Sequence, residues 1–128
     1  MAEFNKVQDS GKRQKFGTGA IRDIQVGKGR YDLLPIYAIK RLTKHYENGA
    51  VKYGENNYLK GIPLMRYMDS ALRHIFKYLE GDASEDHLTA GAWNLLSAIE
   101  TQERIEKGML PEELDNIEKI TLCLRKKD

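Results

Sequence analysis

The sequence predicts an all-α protein, a small bundle of three to four helices with an extended N-terminal segment. Three features predict it. Apolar residues recur three or four apart along three long stretches, the period of an α-helix. Pro stands before those stretches and Gly after them, where helices start and stop. No stretch alternates apolar and polar residues, with β-branched side chains, for long enough to read as a strand.

Residues 1–30 are rich in Gly, Lys, Arg, Gln and Asp and hold little that could drive burial. They read as an extended basic segment, and residues 31–128 as the helical domain. Pro35 opens the first helix. Ile39, Leu42, Tyr46, Ala50 and Tyr53 then keep the helical period, and Gly54 ends it. "GENNYLKGIP" is a turn-rich loop. Pro63 starts the second helix, whose stripe is Leu64, Met68, Leu72, Ile75 and Leu79, widened by Met65 and Phe76. Gly81 stops it. In "DASE", Asp82 is the expected N-cap with Glu85 completing a capping box, and Ser84 is the alternative cap. The third helix is expected from about Glu85 to Glu106. Its core stripe is Leu88, Ala92, Leu95 and Ile99, backed by Leu96, with Trp93 also in the core. "LPEELDNIEKITLCLRKK" is a short fourth helix or a frayed tail. A bundle of this size leaves an apolar face over, which predicts a homo-oligomer, a dimer or tetramer.

Composition narrows the function. At 128 residues, with 41% hydrophobic and 31% charged residues, the chain reads as one soluble globular domain. A net charge of +2 is too small to argue for nucleic acid as a partner. The single cysteine, Cys123, excludes a disulfide framework and fits a reducing cytoplasm. The N-terminal stretch has no apolar core of a secretory signal, and no apolar run is long enough to span a membrane.

The joint between the second and third helices carries residues unusual for solvated helix faces. His87, Ala90, Gly91, Asn94 and Ser97 share one side of the third helix; Arg66, Ser70, Arg73, His74 and Lys77 gather on the second. An antiparallel pairing puts His74 and Lys77 level with His87 and Asp86. Glu47, Asp86, His74 and His87 together suit a divalent cation, Mg²⁺ by their oxygens and Mn²⁺ once imidazoles join. Arg73, Lys52 and Lys77 supply positive charge for phosphates. "TGAIRDIQVGKGRYDLLP" interleaves Gly with Arg22, Lys28 and Arg30, which suits a phosphate chain without being a P-loop. Each residue also has an ordinary structural role. Asp82, Glu85 and Asp86 suit helix caps, Asp69 can pair with Arg73, and a helix-face His is often a packing residue. Asn94 is the least ordinary, because Asn is a poor helix former.

Five blocks in order, "DSGKRQKFGTGAIRD", "GKGRYDLLP", "YENGAVKYGENNYLKG", "YMDSALRHIFKYLEGD" and "EDHLTAGAWNLLSAIE", resemble the bacteriophage dATP/dGTP diphosphohydrolase family, a MazG-like group of nucleotide pyrophosphohydrolases. The resemblance runs from about Asp9 to Pro111. It implies an all-α, oligomeric, metal-dependent enzyme in the host cytoplasm. That enzyme would cleave a purine deoxynucleoside triphosphate, dGTP or dATP, to the monophosphate and pyrophosphate. The Glu-x-x-Glu and Glu-x-x-Asp pairs of the general MazG pattern do not occur at the corresponding points. On this reading Glu47 and Asp86 hold Mg²⁺ or Mn²⁺, with Asp69, His74 and His87 as further ligands. His87 or a carboxylate takes the proton from water. Arg22, Lys28, Arg30 and Lys52 contact phosphates, as do Arg73 and Lys77 across an interface. Tyr53, Tyr58 or Asn57 meets the base, and Asn94 belongs to the same nucleotide site. Two rivals differ in outcome. A His/Asp-type phosphohydrolase would release triphosphate whole. A small helical nucleic-acid-binding protein would bind DNA with steep salt dependence.

Overall fold

A computed structural model describes residues 6–117. Cys123 and the tail expected to form a fourth helix beyond residue 117 lie outside the described residues. The chain divides into two compact units between Leu34 and Pro35.

The first unit contains a hairpin that the sequence reading did not expect. β1 (Arg13–Lys15) pairs antiparallel with β2 (Ile21–Asp23), Gln14 facing Arg22. Strands of three residues are too short for a two-residue alternation to show. The turn makes the hairpin instead: the Phe16 and Gly19 amides close it on the Ala20 and Phe16 carbonyls, both at 2.9 Å. Gly19 takes a positive φ of 89° that only Gly adopts freely. Asp23 then ties the unit together, accepting from Ser10 and from Lys28 Nζ at 2.9 Å. A 3₁₀ turn at Tyr31–Leu33 follows.

The second unit holds three helices, α1 (Ile36–Tyr53), α2 (Leu64–Leu79) and α3 (His87–Glu106), with 3₁₀ turns at Asn57–Lys60 and Glu112–Leu114. Pro35 and Pro63 precede α1 and α2, where the missing amide hydrogen costs nothing. Gly54, Gly81 and Gly108 follow the three helices with positive φ. α2 and α3 are antiparallel: Tyr67 meets Thr101 at one end (3.2 Å) and His74 meets His87 near the other (2.9 Å). α1 runs along α3 in the same direction, with Arg41 on Asp86 and Tyr46 on Ser97 (2.9 Å).

The buried face differs from the expected one. On α3 the structure buries His87, Ala90, Gly91, Asn94, Ser97, Ala98 and Thr101. It leaves Leu88, Leu95, Leu96 and Ile99 between 43 and 58% exposed. On α2 it buries Leu64, Tyr67, Ala71 and His74, while Leu72, Ile75, Phe76 and Leu79 are 40 to 72% exposed. The physical reason is approach distance. Ala71, Ala90 and Gly91 let α2 and α3 close on each other, and the bulky aliphatics are turned to the outer side. The interior of this unit is therefore Leu64, Tyr67 and Ala98, with Ile62, Met68, Trp93 and Ile105 against them.

The cap is also displaced. Asp82 folds into a turn by accepting from the Ser84 amide (2.8 Å) and hydroxyl (2.6 Å). Asp86 caps α3, accepting from the Thr89 amide at 3.2 Å. Among the described residues no helix is long and apolar enough to cross a membrane.

Candidate functional site

The last turns of α2, the loop between α2 and α3 and the first residue of α3 bring three ligand-type side chains together. His74 Nδ1 and His87 Nδ1 lie 2.9 Å apart. Glu85 Oε1 is 3.4 Å from the first and 3.6 Å from the second. Ligand atoms that share one cation at ~2.1 Å stand ~3.0–3.4 Å apart, so the trio fits a common divalent ion. Two imidazoles and one carboxylate are a donor set for Mn²⁺, Fe²⁺ or Zn²⁺ more than for Mg²⁺.

Burial shapes this group. Both rings are buried, and Glu85 is exposed. Desolvation pushes the His74 pKa below its ordinary value, against an opposing pull from Glu85. Desolvation thus favours the neutral ring, the form with a lone pair to donate. His87 Nε2 is buried and has no hydrogen-bond partner among the described residues. It faces Asp82 Oδ1 at 3.4 Å, without the angle of a hydrogen bond. Asp82 itself stays ionised, its pKa held at about 2 chiefly by the Ser84 hydroxyl.

Of the residues the sequence singled out, His74 and His87 are brought together. Glu85, set aside as a capping residue, joins them. Asp86 faces Arg41, which clamps it at 2.6 and 3.2 Å and holds its pKa at about 2. Glu47 is exposed on α1 and pairs with Lys44 (3.0 Å). Asp69 pairs with Arg66 (3.2 Å) rather than with Arg73, which instead donates to Ser70. Arg73 and Lys77 flank His74 on α2 and enter no ion pair among the described residues. In the first unit Arg22 lies on β2, Lys28 pairs with Asp23 (2.9 Å), and Arg30 grips Asp32 with two bonds of 2.8 and 2.7 Å.

Tyr53, Asn57 and Asn94 meet elsewhere, around a cavity of about 450 Å³ that Tyr46, Tyr58 and Trp93 also line. Lys52 stands beside it, its Nζ 5.0 Å from the Tyr53 ring centroid. The sequence reading missed Glu85 and Asp82 as neighbours of the His pair. It also missed Arg41, Tyr46, and His45, whose ring sits 5.8 Å from Trp93. Only Glu85 and Asp82 left a signal: with Asp86, three acids stand within five residues of His87, more than a helix start requires.

A family model described as dATP/dGTP diphosphohydrolase, N-terminal, matches residues 18–109. The match covers the hairpin's second strand and all three helices. No curated protein and no solved structure matches the chain.

Proposed function

This chain belongs to the dATP/dGTP diphosphohydrolase family, and from that premise we propose that it hydrolyses dGTP or dATP to the monophosphate and pyrophosphate. His74, Glu85 and His87 would hold the divalent cation the reaction needs. The observation that carries this reading is the convergence of those three ligand atoms within 3.6 Å of one another. When bound, such a cation lowers the pKa of a water and offsets phosphate charge.

The protein's own groups then have separable tasks. Asp82 lies 3.4 Å from His87 Nε2, on the side of the ring where a carboxylate would orient an imidazole that ligates through Nδ1. Asp86 caps α3 and is pinned by Arg41, which fixes the backbone from which His87 projects. Glu85 meets both rings through Oε1, and its second oxygen is the group we assign to accept the water's proton. Arg73 and Lys77, beside His74, attract the phosphates. Two imidazoles in the set favour Mn²⁺ over Mg²⁺. A second copy of the chain covers the outer aliphatic face of α2 and α3.

The test is product analysis with dGTP and dATP, in Mn²⁺, in Mg²⁺ and in chelator. We expect pyrophosphate and monophosphate, and no turnover in chelator. Release of inorganic triphosphate would transfer the chain to the rival hydrolase class, and salt-steep DNA binding without turnover to the nucleic-acid binders.

A further inference from the structure

We propose that the cavity enclosed by α1, α2, α3 and the Asn57–Lys60 turn seats the purine base, with Tyr46, Tyr58 and Trp93 as its aromatic wall. The proposal rests on the reading of the chain as a purine nucleotide hydrolase and locates a subsite that reading leaves open.

Size and wall chemistry agree. The cavity of about 450 Å³ falls in the range of small-molecule sites. The three rings lie 5.7 to 5.9 Å apart, tilted by 51 to 69°. None stacks flat on another, so aromatic faces remain for a ligand ring. Polar groups converge on the same space. Trp93 lines the space with its ring, while its Nε1 is buried away from solvent and has no acceptor among the described residues. Asn94 is buried, and its Nδ2 donates to the Ala90 carbonyl at 2.8 Å, leaving its oxygen to accept. A purine edge offers N–H donors beside its ring nitrogens, which answers the Asn94 oxygen.

Gly49 supplies an independent argument. It lies within α1, where Gly weakens a helix. Its φ is ordinary, so the backbone does not require Gly. A Cβ built there meets nothing within 4 Å. Packing within the chain therefore does not explain the residue, whereas close approach of a ligand does.

The distance to the metal group fits a nucleotide. Ser70 lines the cavity one turn before His74 on α2, and Asn94 lines it two turns after His87 on α3. These offsets are ~6 and ~10 Å along the helices. A base seated in the cavity would reach the His pair across its deoxyribose and α-phosphate.

Trp93 is the single tryptophan, so its fluorescence reports on the cavity alone. The full chain, in chelator, is titrated with dGMP, dTMP and inorganic pyrophosphate. We expect saturable quenching by dGMP, weaker quenching by dTMP and none by pyrophosphate. Gly49→Leu projects a side chain into the cavity and improves helix propensity. It is expected to keep the melting temperature, abolish quenching, and raise KM for dGTP roughly 10- to 100-fold, the range for lost base stacking. Gly49→Ala, a smaller plug, should give an intermediate effect and guards against a misfolded Leu variant. Quenching by pyrophosphate, or dGMP quenching that survives Gly49→Leu, overturns the proposal. So does emission that follows chain concentration and ignores nucleotide, which would mean that a second copy fills the cavity. Pyrophosphate release with no dGMP quenching sinks the subsite alone; dGMP quenching with triphosphate release sinks the reaction alone.

Discussion

His87 is 2% exposed, yet carboxylates face both of its ring nitrogens, Asp82 at 3.4 Å and Glu85 at 3.6 Å. A buried imidazole flanked by an acid at each nitrogen favours one ring orientation, which is what a metal ligand needs. Glu85→Gln keeps the shape of the side chain and removes its charge. Mn²⁺ affinity, read by calorimetry, should fall at least ~10-fold, and His87→Ala should lower turnover by roughly two powers of ten. Asp82→Asn should weaken Mn²⁺ binding ~10- to 100-fold, as loss of an orienting partner does. Glu47→Gln and Asp69→Asn should leave affinity unchanged, since Lys44 and Arg66 occupy those carboxylates. Binding lost in Glu47→Gln but kept in Glu85→Gln would move the site back to α1.

At the scale of the element, the start of α3 is the critical joint. Asp86 caps the helix and links it to α1 through Arg41. Its pKa is depressed to about 2 from an ordinary 3.8, first by the Arg41 hydrogen bonds. The folded-state value is the lower one. The stabilisation is therefore complete above about pH 4 and is lost as pH falls through about 2. Asp86→Asn retains a capping oxygen and loses the ion pair. The pair is partly solvated, so the cost should be no more than ~1 kcal/mol at neutral pH. The gap between wild-type and Asp86→Asn melting temperatures should close as pH is lowered to about 2. Asp86→Ala also removes the cap and should cost a further ~1 kcal/mol. Equal melts for Asp86→Asn at every pH, with Mn²⁺ binding lost, would make Asp86 a ligand rather than a stabilising partner of Arg41.

Across the whole molecule, the outward row of Leu72, Ile75, Phe76 and Leu79 with Leu88, Leu95 and Ile99 is the dominant surface feature of the helical unit. Single exposed apolar residues are ordinary, but a row of this kind on two adjacent helices marks an interaction face. Two such helix pairs brought together would complete a four-helix bundle. The chain should sediment as a dimer or tetramer at micromolar concentration. The double variant Phe76→Glu, Leu95→Glu should be monomeric with its helical circular dichroism intact, because neither side chain is in the single-chain core. A wild-type chain that is monomeric and fully active would refute the assembly.

What was legible in the sequence is local. Pro35, Gly54, Pro63 and Gly108 mark helix ends through constraints on their own φ and amide groups, and they do so in any tertiary setting. The ordered blocks identify the family in the same way, without coordinates. His74 and His87 were legible as partners once a short connection made α2 and α3 antiparallel. The hairpin was not, because a three-residue strand carries no period. Helical spacing shows that α3 has a stripe of Leu88, Leu95 and Ile99 and a stripe of Ala90, Asn94 and Ser97, but not which one turns inward. That choice belongs to the neighbouring helix: Ala71 and Gly91 set how closely α2 comes, and close approach buries the small, polar stripe. The same inter-helix register selects Glu85 over Glu47 as the third partner of the His pair and frames the cavity that Trp93 lines. These outcomes depend on distances between residues far apart in the chain, and only the tertiary structure determines them.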